Sequence, residues 1–167
     1  MAARNHEQYV ADAAASVLEQ DYDLLELIAV DDASDDATPN VLEHCSTAAP
    51  PGRMRFVRHE RQEGIAETRA NALSLARGEF IGLLDSDDLW LPGKLGPQVE
   101  LLTAEPDVGL VHAEFEAFDS DTGKPIRNSH THCRRIGVNR VSPVMRPSSF
   151  PPAATRGSRS PGLRPGA

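Results

Sequence analysis

The strongest chemical signal in the chain is a cluster of three carboxylates, Asp85, Asp87 and Asp88, directly after the apolar residues 80–84. Like charges this close repel one another strongly, so such a cluster is costly unless a cation shares the site. Mg²⁺ and Mn²⁺ suit it, because hard ions take oxygen ligands and keep positions open for phosphate. The alternative is a polar turn whose aspartates cap the next helix. This segment alone leaves both interpretations open.

A second pair of carboxylates, Asp31 and Asp32, follows the nearly continuous apolar run of residues 24–30. Such a run is typical of a strand that is covered on both faces. Ligands of parallel α/β sheets bind beyond the carboxyl ends of the strands, so two acidic strand ends would meet in one crevice. Taken alone, this pair could again be a helix-capping turn. Its combination with the first cluster favours a shared site.

The elements that must position these residues follow from the hydrophobic periodicity. The predicted strands cover residues 24–30, 54–57, 80–84, 108–113 and 114–119, and the predicted helices cover 7–20, a short segment from Thr38, 64–76 and 92–104. Gly78 is the expected stop of the third helix, and residues 121–124 are expected to turn. Strands that alternate with short helices imply an α/β layered domain with a largely parallel sheet.

Composition limits the function classes. The 167 residues, 40% hydrophobic and 25% charged, suit one globular domain, and no apolar run is long enough to span a membrane. Cys45 and Cys133 stand alone, which fits a reducing cytosol. Residues 1–124 contain all 25 acidic residues and nine basic ones, so their net charge is 9 − 25 = −16. The residues that follow contain eight arginines and no acidic residue, so their net charge is +8. The strongly acidic residues 1–124 argue against nucleic-acid binding, which needs a basic surface to meet the phosphates.

Four stretches of the chain stand out together: QYVADAAASVLEQDY, LELIAVDDASDDATPNVL, GIAETRANALSLARGEFIGLLDSDDLWLP and PDVGLVHAEFEAFDSDTG. With two acidic motifs in this order and spacing, they resemble the inverting, family 2-type glycosyltransferases with the GT-A fold. The resemblance covers residues 5–124. It implies a Rossmann-like domain that binds a nucleotide-diphospho-sugar, with a UDP-sugar as the first choice, and transfers the sugar to a saccharide, lipid or protein acceptor.

The resemblance implies roles for the acidic residues. Asp31 and Asp32 would contact the uracil or the ribose of the nucleotide. Asp85 and Asp87 match the D-x-D motif of the family. Asp87 would coordinate Mn²⁺ or Mg²⁺ against the diphosphate, and Asp85 would hold the ribose or assist the metal. Asp88 would be an additional metal ligand.

Arg69 occupies a helix position where the family often has an arginine, which implies a contact to the nucleotide. In the family an asparagine directly follows this arginine, but here Ala70 separates Arg69 from Asn71. An ion pair between Arg69 and a carboxylate is therefore the competing interpretation.

Two parts of the family pattern are missing. Members begin with an apolar strand before the first helix, where this chain has only residues 1–5, so we expect the first strand to be missing and residues 24–30 to face an unpaired edge. An inverting transfer also needs a general base, which the family takes from an Asp beyond the D-x-D motif. No acidic residue follows Asp121, and the catalytic residue is left unassigned.

The expected organisation is a partial GT-A domain at residues 5–125, followed by an Arg/Pro-rich tail at 126–167. The tail lacks acidic residues and hydrophobic periodicity, so we expect disorder from about Gly137 onward. We also expect the sequence to be a piece of a longer gene, lacking parts at both ends.

Two alternatives remain open for the function. An inactive glycosyltransferase fragment would bind nucleotide without turnover, because the base is missing. A phosphoacceptor receiver domain also groups carboxylates around Mg²⁺, but it needs a lysine at a later strand end, and neither Lys94 nor Lys124 follows a convincing strand. The expected location is the cytoplasm, with peripheral attachment to the inner membrane face as a further option.

Overall fold

A computed structural model describes residues 1–23, 25–113, 115–120, 122–124 and 126. Its elements, in chain order, are β1 (Ala2–Ala3), α1 (Val10–Leu18), β2 (Leu27–Asp31), α2 (Thr38–Ala48), β3 (Met54–Arg58), α3 (Ile65–Leu75) and α4 (Leu95–Ala104). The strands form a parallel sheet in the order β1-β2-β3. The predicted α/β domain with a parallel sheet is therefore confirmed.

The core surrounds β2, the middle strand, of which all five residues are buried. Side chains alternate between the faces of a strand, and Leu27 and Ala29 on β2 pack against α1 and α2 through Val10 and Leu42. α3 packs against β1 and β2. α2 begins where predicted, because Pro39 suits the first turn of a helix and tolerates the missing amide hydrogen.

The edge of β2 is not left open, contrary to the expectation that the first strand is missing. The backbone amide of Val30 donates to the carbonyl oxygen of Met1 at 2.9 Å. The amide of Asp32 donates to the carbonyl oxygen of Ala3, also at 2.9 Å. Ala2 and Ala3 thus form the short strand β1, parallel to β2. Two small residues suffice because the backbone, and not the side chains, makes these hydrogen bonds.

The predicted buried strand at residues 80–84 is wrong. The segment is irregular, and Phe80, Ile81 and Leu83 are 38%, 41% and 71% exposed. Only Leu84 reaches the core. A strand requires a neighbour for its backbone hydrogen bonds, and the two-residue β1 at the edge of the sheet offers few.

The predicted strands at residues 108–113 and 114–119 are also wrong, because the described residues there are irregular except for one bridge at Phe118. The predicted turn that follows does form, with the amide of Gly123 donating to the carbonyl of Asp119 at 2.8 Å. α3 ends at Leu75, before the predicted stop at Gly78. The predicted disorder from Gly137 lies outside the described residues. No helix of the described part is long and apolar enough to cross a bilayer.

The exposure of two leucines leads to a prediction about stability. Leu42 is fully buried in the core, whereas Leu83 is 71% exposed. Leu42→Ala should lower the free energy of unfolding by about 2–5 kcal/mol, because it leaves a cavity. Leu83→Ala should change it by less than about 0.5 kcal/mol. Urea unfolding measures both, and an equal loss at Leu83 would show that residues 80–84 are buried after all.

Candidate functional site

A cavity of about 420 Å³ opens at the carboxyl ends of β1 and β2, where ligands of parallel α/β sheets bind. It brings together four of the six predicted site residues, namely Asp32, Arg69, Asp85 and Asp87. The two acidic motifs therefore share one crevice even though residues 80–84 do not form a strand. Asp31 and Asp88 do not line this cavity.

Asp32 is the most firmly held carboxylate of the cavity. Its Oδ1 accepts hydrogen bonds from the amide of Glu63 at 2.7 Å and from Nδ1 of His59 at 3.1 Å, and its Oδ2 accepts from the amide of Gly64 at 2.9 Å. Burial on its own would raise the pKa of this carboxyl, but these donors lower it below the ordinary 3.8. Asp32 is therefore charged at neutral pH, and it holds the two residues just before α3, where the helix dipole favours a negative charge.

The turn before α3 depends on a glycine. Gly64 has φ of 91° and ψ of 159°, a backbone conformation that residues with a Cβ rarely adopt. This conformation turns the amides of Glu63 and Gly64 toward the same carboxylate. Gly64 lies at the predicted start of this helix, whereas its contact with Asp32 was not predicted from the sequence.

His59 belongs to this site and was missed by the sequence analysis. It follows β3 directly, is 8% exposed, and contacts Asp32 through Nδ1. Its other ring nitrogen, Nε2, lies 3.2 Å from Nδ2 of Asn71 on α3. The available signal was its position at the end of a third parallel strand, beside the two acidic strand ends.

Asp85 and Arg69 form an ion pair across the cavity, with both side chains about half exposed. The competing interpretation of Arg69 expected a carboxylate partner, and the structure provides one in the acidic motif itself. Asp87 lines the same cavity and makes no hydrogen bond or ion pair with any described residue. Of these two carboxylates, only Asp87 is free to bind a cation without first releasing an arginine.

Ser86 fixes the acidic turn to the beginning of the chain. It is 2% exposed, and its hydroxyl lies 2.7 Å from Nδ1 of His6. The amide of His6 in turn donates to the Thr38 hydroxyl at 2.8 Å. This contact replaces the strand pairing that the sequence analysis expected to position the carboxylates, and no sequence pattern indicated it.

The two predicted site residues outside the cavity differ in their surroundings. Asp31 is fully buried, and its carboxylate accepts the amide of Ser34 at 3.1 Å and pairs with Arg58 at 3.3 Å. These contacts join Asp31, at the end of β2, to the turn that follows and to β3, and they cap no helix, because α2 begins only at Thr38. Asp88 is largely exposed, but the partial loss of hydration at its carboxyl and then the charges of Asp87 and Asp85 raise the pKa of this group.

The donor set fits a hard divalent cation bound jointly with phosphate. The described residues contain no group of three His, Cys, Asp or Glu side chains that could hold a metal ion. Mg²⁺ rarely needs three protein ligands, since it usually binds through one or two carboxylates and through substrate phosphates. Burial and then the charges of Asp87 and Asp85 raise the pKa of Asp88, and a cation would relieve the repulsion among these carboxylates.

Trp90, which follows the acidic turn, packs into the core and is 9% exposed. A Cβ at Gly82 would lie only 2.6 Å from Cη2 of its indole, so this close approach requires glycine. The ring therefore supports the turn from below and does not line the cavity.

Comparison with known proteins gives one family. The model of "Glycosyl transferase family 2" matches residues 1–156. The UDP-Glc:alpha-D-GlcNAc-diphosphoundecaprenol beta-1,3-glucosyltransferase WfgD of Escherichia coli is 28% identical over 90% of this chain and 62% of its own length. The putative glycosyltransferase EpsH of Bacillus subtilis is 35% identical over 74% of this chain and 35% of its own length. The chain thus spans between about a third and three fifths of these two relatives.

Solved structures agree. The mannosyltransferase PcManGT of Pyrobaculum calidifontis, in complex with GDP-Man and Mn²⁺, matches with a TM-score of 0.60 and 31% identity over 65% of this chain and 32% of that one. Residues 1–349 of TarS of S. aureus, in complex with UDP, match with a TM-score of 0.58 and 25% identity over 64% of this chain and 32% of that one. These neighbours confirm the predicted GT-A fold.

The hydrogen bonds to Asp32 predict a pH-dependent contribution to stability. Because its pKa is lowered on folding, Asp32 stabilises the fold above the unfolded value of 3.8 and loses this effect as the pH falls through the folded value. Asp32→Asn should lower the free energy of unfolding by about 1–3 kcal/mol at neutral pH, because the amide group that replaces one of the two oxygens presents N–H donors to a donor that this oxygen accepted. The difference from the unchanged chain should shrink in acid below pH 3.8.

Urea unfolding from neutral to acidic pH measures this difference. Asp107→Asn, which removes an exposed carboxylate, is the matched control and should change little. A difference at Asp32 that stays constant over the whole pH range would contradict the assigned hydrogen bonds.

Proposed function

The chain belongs to glycosyl transferase family 2, and on that premise we propose that it binds a nucleotide-diphospho-sugar together with Mn²⁺ or Mg²⁺ for sugar transfer. The observation that carries the proposal is the cavity that holds Asp32 on one side and Asp85 and Asp87 on the other. A nucleotide-diphospho-sugar has the matching parts, namely a nucleoside with donors and a diphosphate with negative charge. UDP-sugars remain the first choice of donor.

Asp87 is the proposed principal metal ligand, because its carboxylate lines the cavity without a partner among the described residues. Asp85 assists from its pair with Arg69, and Asp88 is the additional ligand proposed from the sequence. When bound, the metal ion neutralises the departing nucleoside diphosphate. The PcManGT complex contains Mn²⁺ and GDP-Man, which supports this assignment.

Asp32 is the proposed contact to the nucleoside. It is charged and lines the cavity, so it can accept a hydrogen bond from a ribose hydroxyl or from the N–H of uracil. Arg69 is proposed to contact the nucleotide as well, since one bond to Asp85 leaves further guanidinium donors at the cavity. The sequence-based role of Asp31 at the nucleotide has less support, because its carboxylate is occupied by Ser34 and Arg58.

Transfer itself requires a general base, and we assign none in this chain, since no acidic residue follows Asp121. Nucleotide binding without turnover is therefore the second candidate. The acceptor is a saccharide, a lipid or a protein. The name of the Escherichia coli relative includes a diphosphoundecaprenol lipid, which supports action in the cytoplasm at the inner membrane face. The family match speaks against the receiver-domain alternative.

A thermal unfolding scan tests the proposal. In Mn²⁺, UDP at about a hundred times its dissociation constant should stabilise the chain by about 2.7 kcal/mol and raise Tm by several degrees. UDP without metal should raise Tm much less. Asp87→Asn should remove the effect of Mn²⁺ on Tm, whereas the control Asp107→Asn should retain that effect. GDP in place of UDP identifies the alternative donor class.

No metal-dependent shift with either nucleotide would contradict the proposed site. A shift without release of UDP from UDP-sugars, in the presence of candidate acceptors, would favour the second candidate, nucleotide binding alone.

A further inference from the structure

The ring of His59 is enclosed by two partners that fix where its proton lies. Nε2 of His59 faces the amide nitrogen Nδ2 of Asn71 at 3.2 Å, and in this arrangement the amide donates and Nε2 accepts. Nδ1, which lies 3.1 Å from Oδ1 of Asp32, then carries a proton and donates to that carboxylate. The side chain of His59 is 7% exposed, so water does not compete strongly for either bond.

We propose that His59, held by Asn71 as the tautomer protonated at Nδ1, is a positioning residue that orients the Asp32 carboxylate for the nucleoside part of the donor. This inference rests on the proposed function, because it takes the nucleotide to be the ligand of the cavity. It assigns His59 no contact with the ligand.

The hydrogen bonds around Asp32 explain why one more donor matters. The amides of Glu63 and Gly64 both come from the start of α3, so they hold the carboxylate from one direction. His59 donates from the end of β3, a separate element, and so restrains rotation of the carboxylate plane. The Thr68 hydroxyl on α3 also lowers the pKa of this carboxyl, so α3 contributes donors from its first turn as well as from the residues before it.

Asn71 ties this arrangement to α3, the helix that also carries Arg69. Asp32 lines the cavity while His59 does not, so His59 acts through Asp32 alone. Its effect should therefore be confined to the nucleoside and should spare the diphosphate, which lies with Asp85 and Asp87 in the proposed arrangement.

The tautomer can be measured on the unchanged chain by long-range ¹H–¹⁵N correlation spectra of the histidine rings. We expect Nδ1 of His59 to be protonated and Nε2 to be unprotonated at neutral pH. Asn71→Asp should give a ring protonated at both nitrogens, since a carboxylate would then accept at Nε2. A proton on Nε2 alone in the unchanged chain would overturn the proposal.

The positioning role is tested by the affinities for UDP and for inorganic pyrophosphate, both in Mn²⁺. His59→Leu should weaken UDP binding about tenfold, the effect of one lost hydrogen bond of this kind, and leave pyrophosphate binding unchanged. His59→Asn should retain most of the UDP affinity, because its amide nitrogen takes the place of Nδ1. His44→Leu, the same change at an exposed histidine on α2, should alter neither affinity.

Three results would overturn the role of His59: unchanged UDP affinity in His59→Leu, an equal loss of UDP and pyrophosphate, or a loss in His59→Asn as large as that in His59→Leu. Failure of the unchanged chain to bind UDP is a different result. It would contradict the proposed function, and with it the ligand assumed here, whatever the tautomer of His59.

Discussion

The carboxylate of Asp32 lies where the ends of β2 and β3 meet the start of α3. It follows the central strand directly, accepts the amides of Glu63 and Gly64 just before α3, and accepts a hydrogen bond from His59, which follows β3. A buried charge is tolerated only when several donors compensate its lost hydration. Because those donors come from two different elements, the same bonds that stabilise Asp32 also fix the wall of the cavity.

The second wall is built in a different way. The acidic turn follows irregular backbone, and it is held by side chains: Ser86 meets His6, Arg69 pairs with Asp85, and Trp90 packs against Gly82. Hence the cavity combines a rigid, strand-based side with one that depends on a few polar contacts. Since the Arg69–Asp85 pair is half exposed, it is weakly stabilising and can exchange partners when a cation or a nucleotide arrives.

The sequence predicted the parallel sheet, the helices around it and the convergence of two acidic motifs, because hydrophobic periodicity and strand-end chemistry are local signals. It failed at residues 80–84, where an apolar run indicated a buried strand, because pairing depends on a neighbour that the run itself does not specify. It also missed β1, which is too short for any periodicity. The role of His59 was not predicted, because a single histidine shows no sequence pattern and its role depends on the tertiary contact with Asp32.

The central claim is that both acidic motifs serve one metal-dependent nucleotide site. Paramagnetic broadening of backbone amides by Mn²⁺ in the presence of UDP tests it most directly in the ¹⁵N-labelled chain. The account predicts that the amides of Ser86, Asp87 and Asp88 broaden first, that those of Gly64 and Thr68 follow, and that Asp87→Asn abolishes the pattern. Broadening centred on another acidic surface, such as the loop at Asp35 and Asp36, or uniform weak broadening, would contradict it.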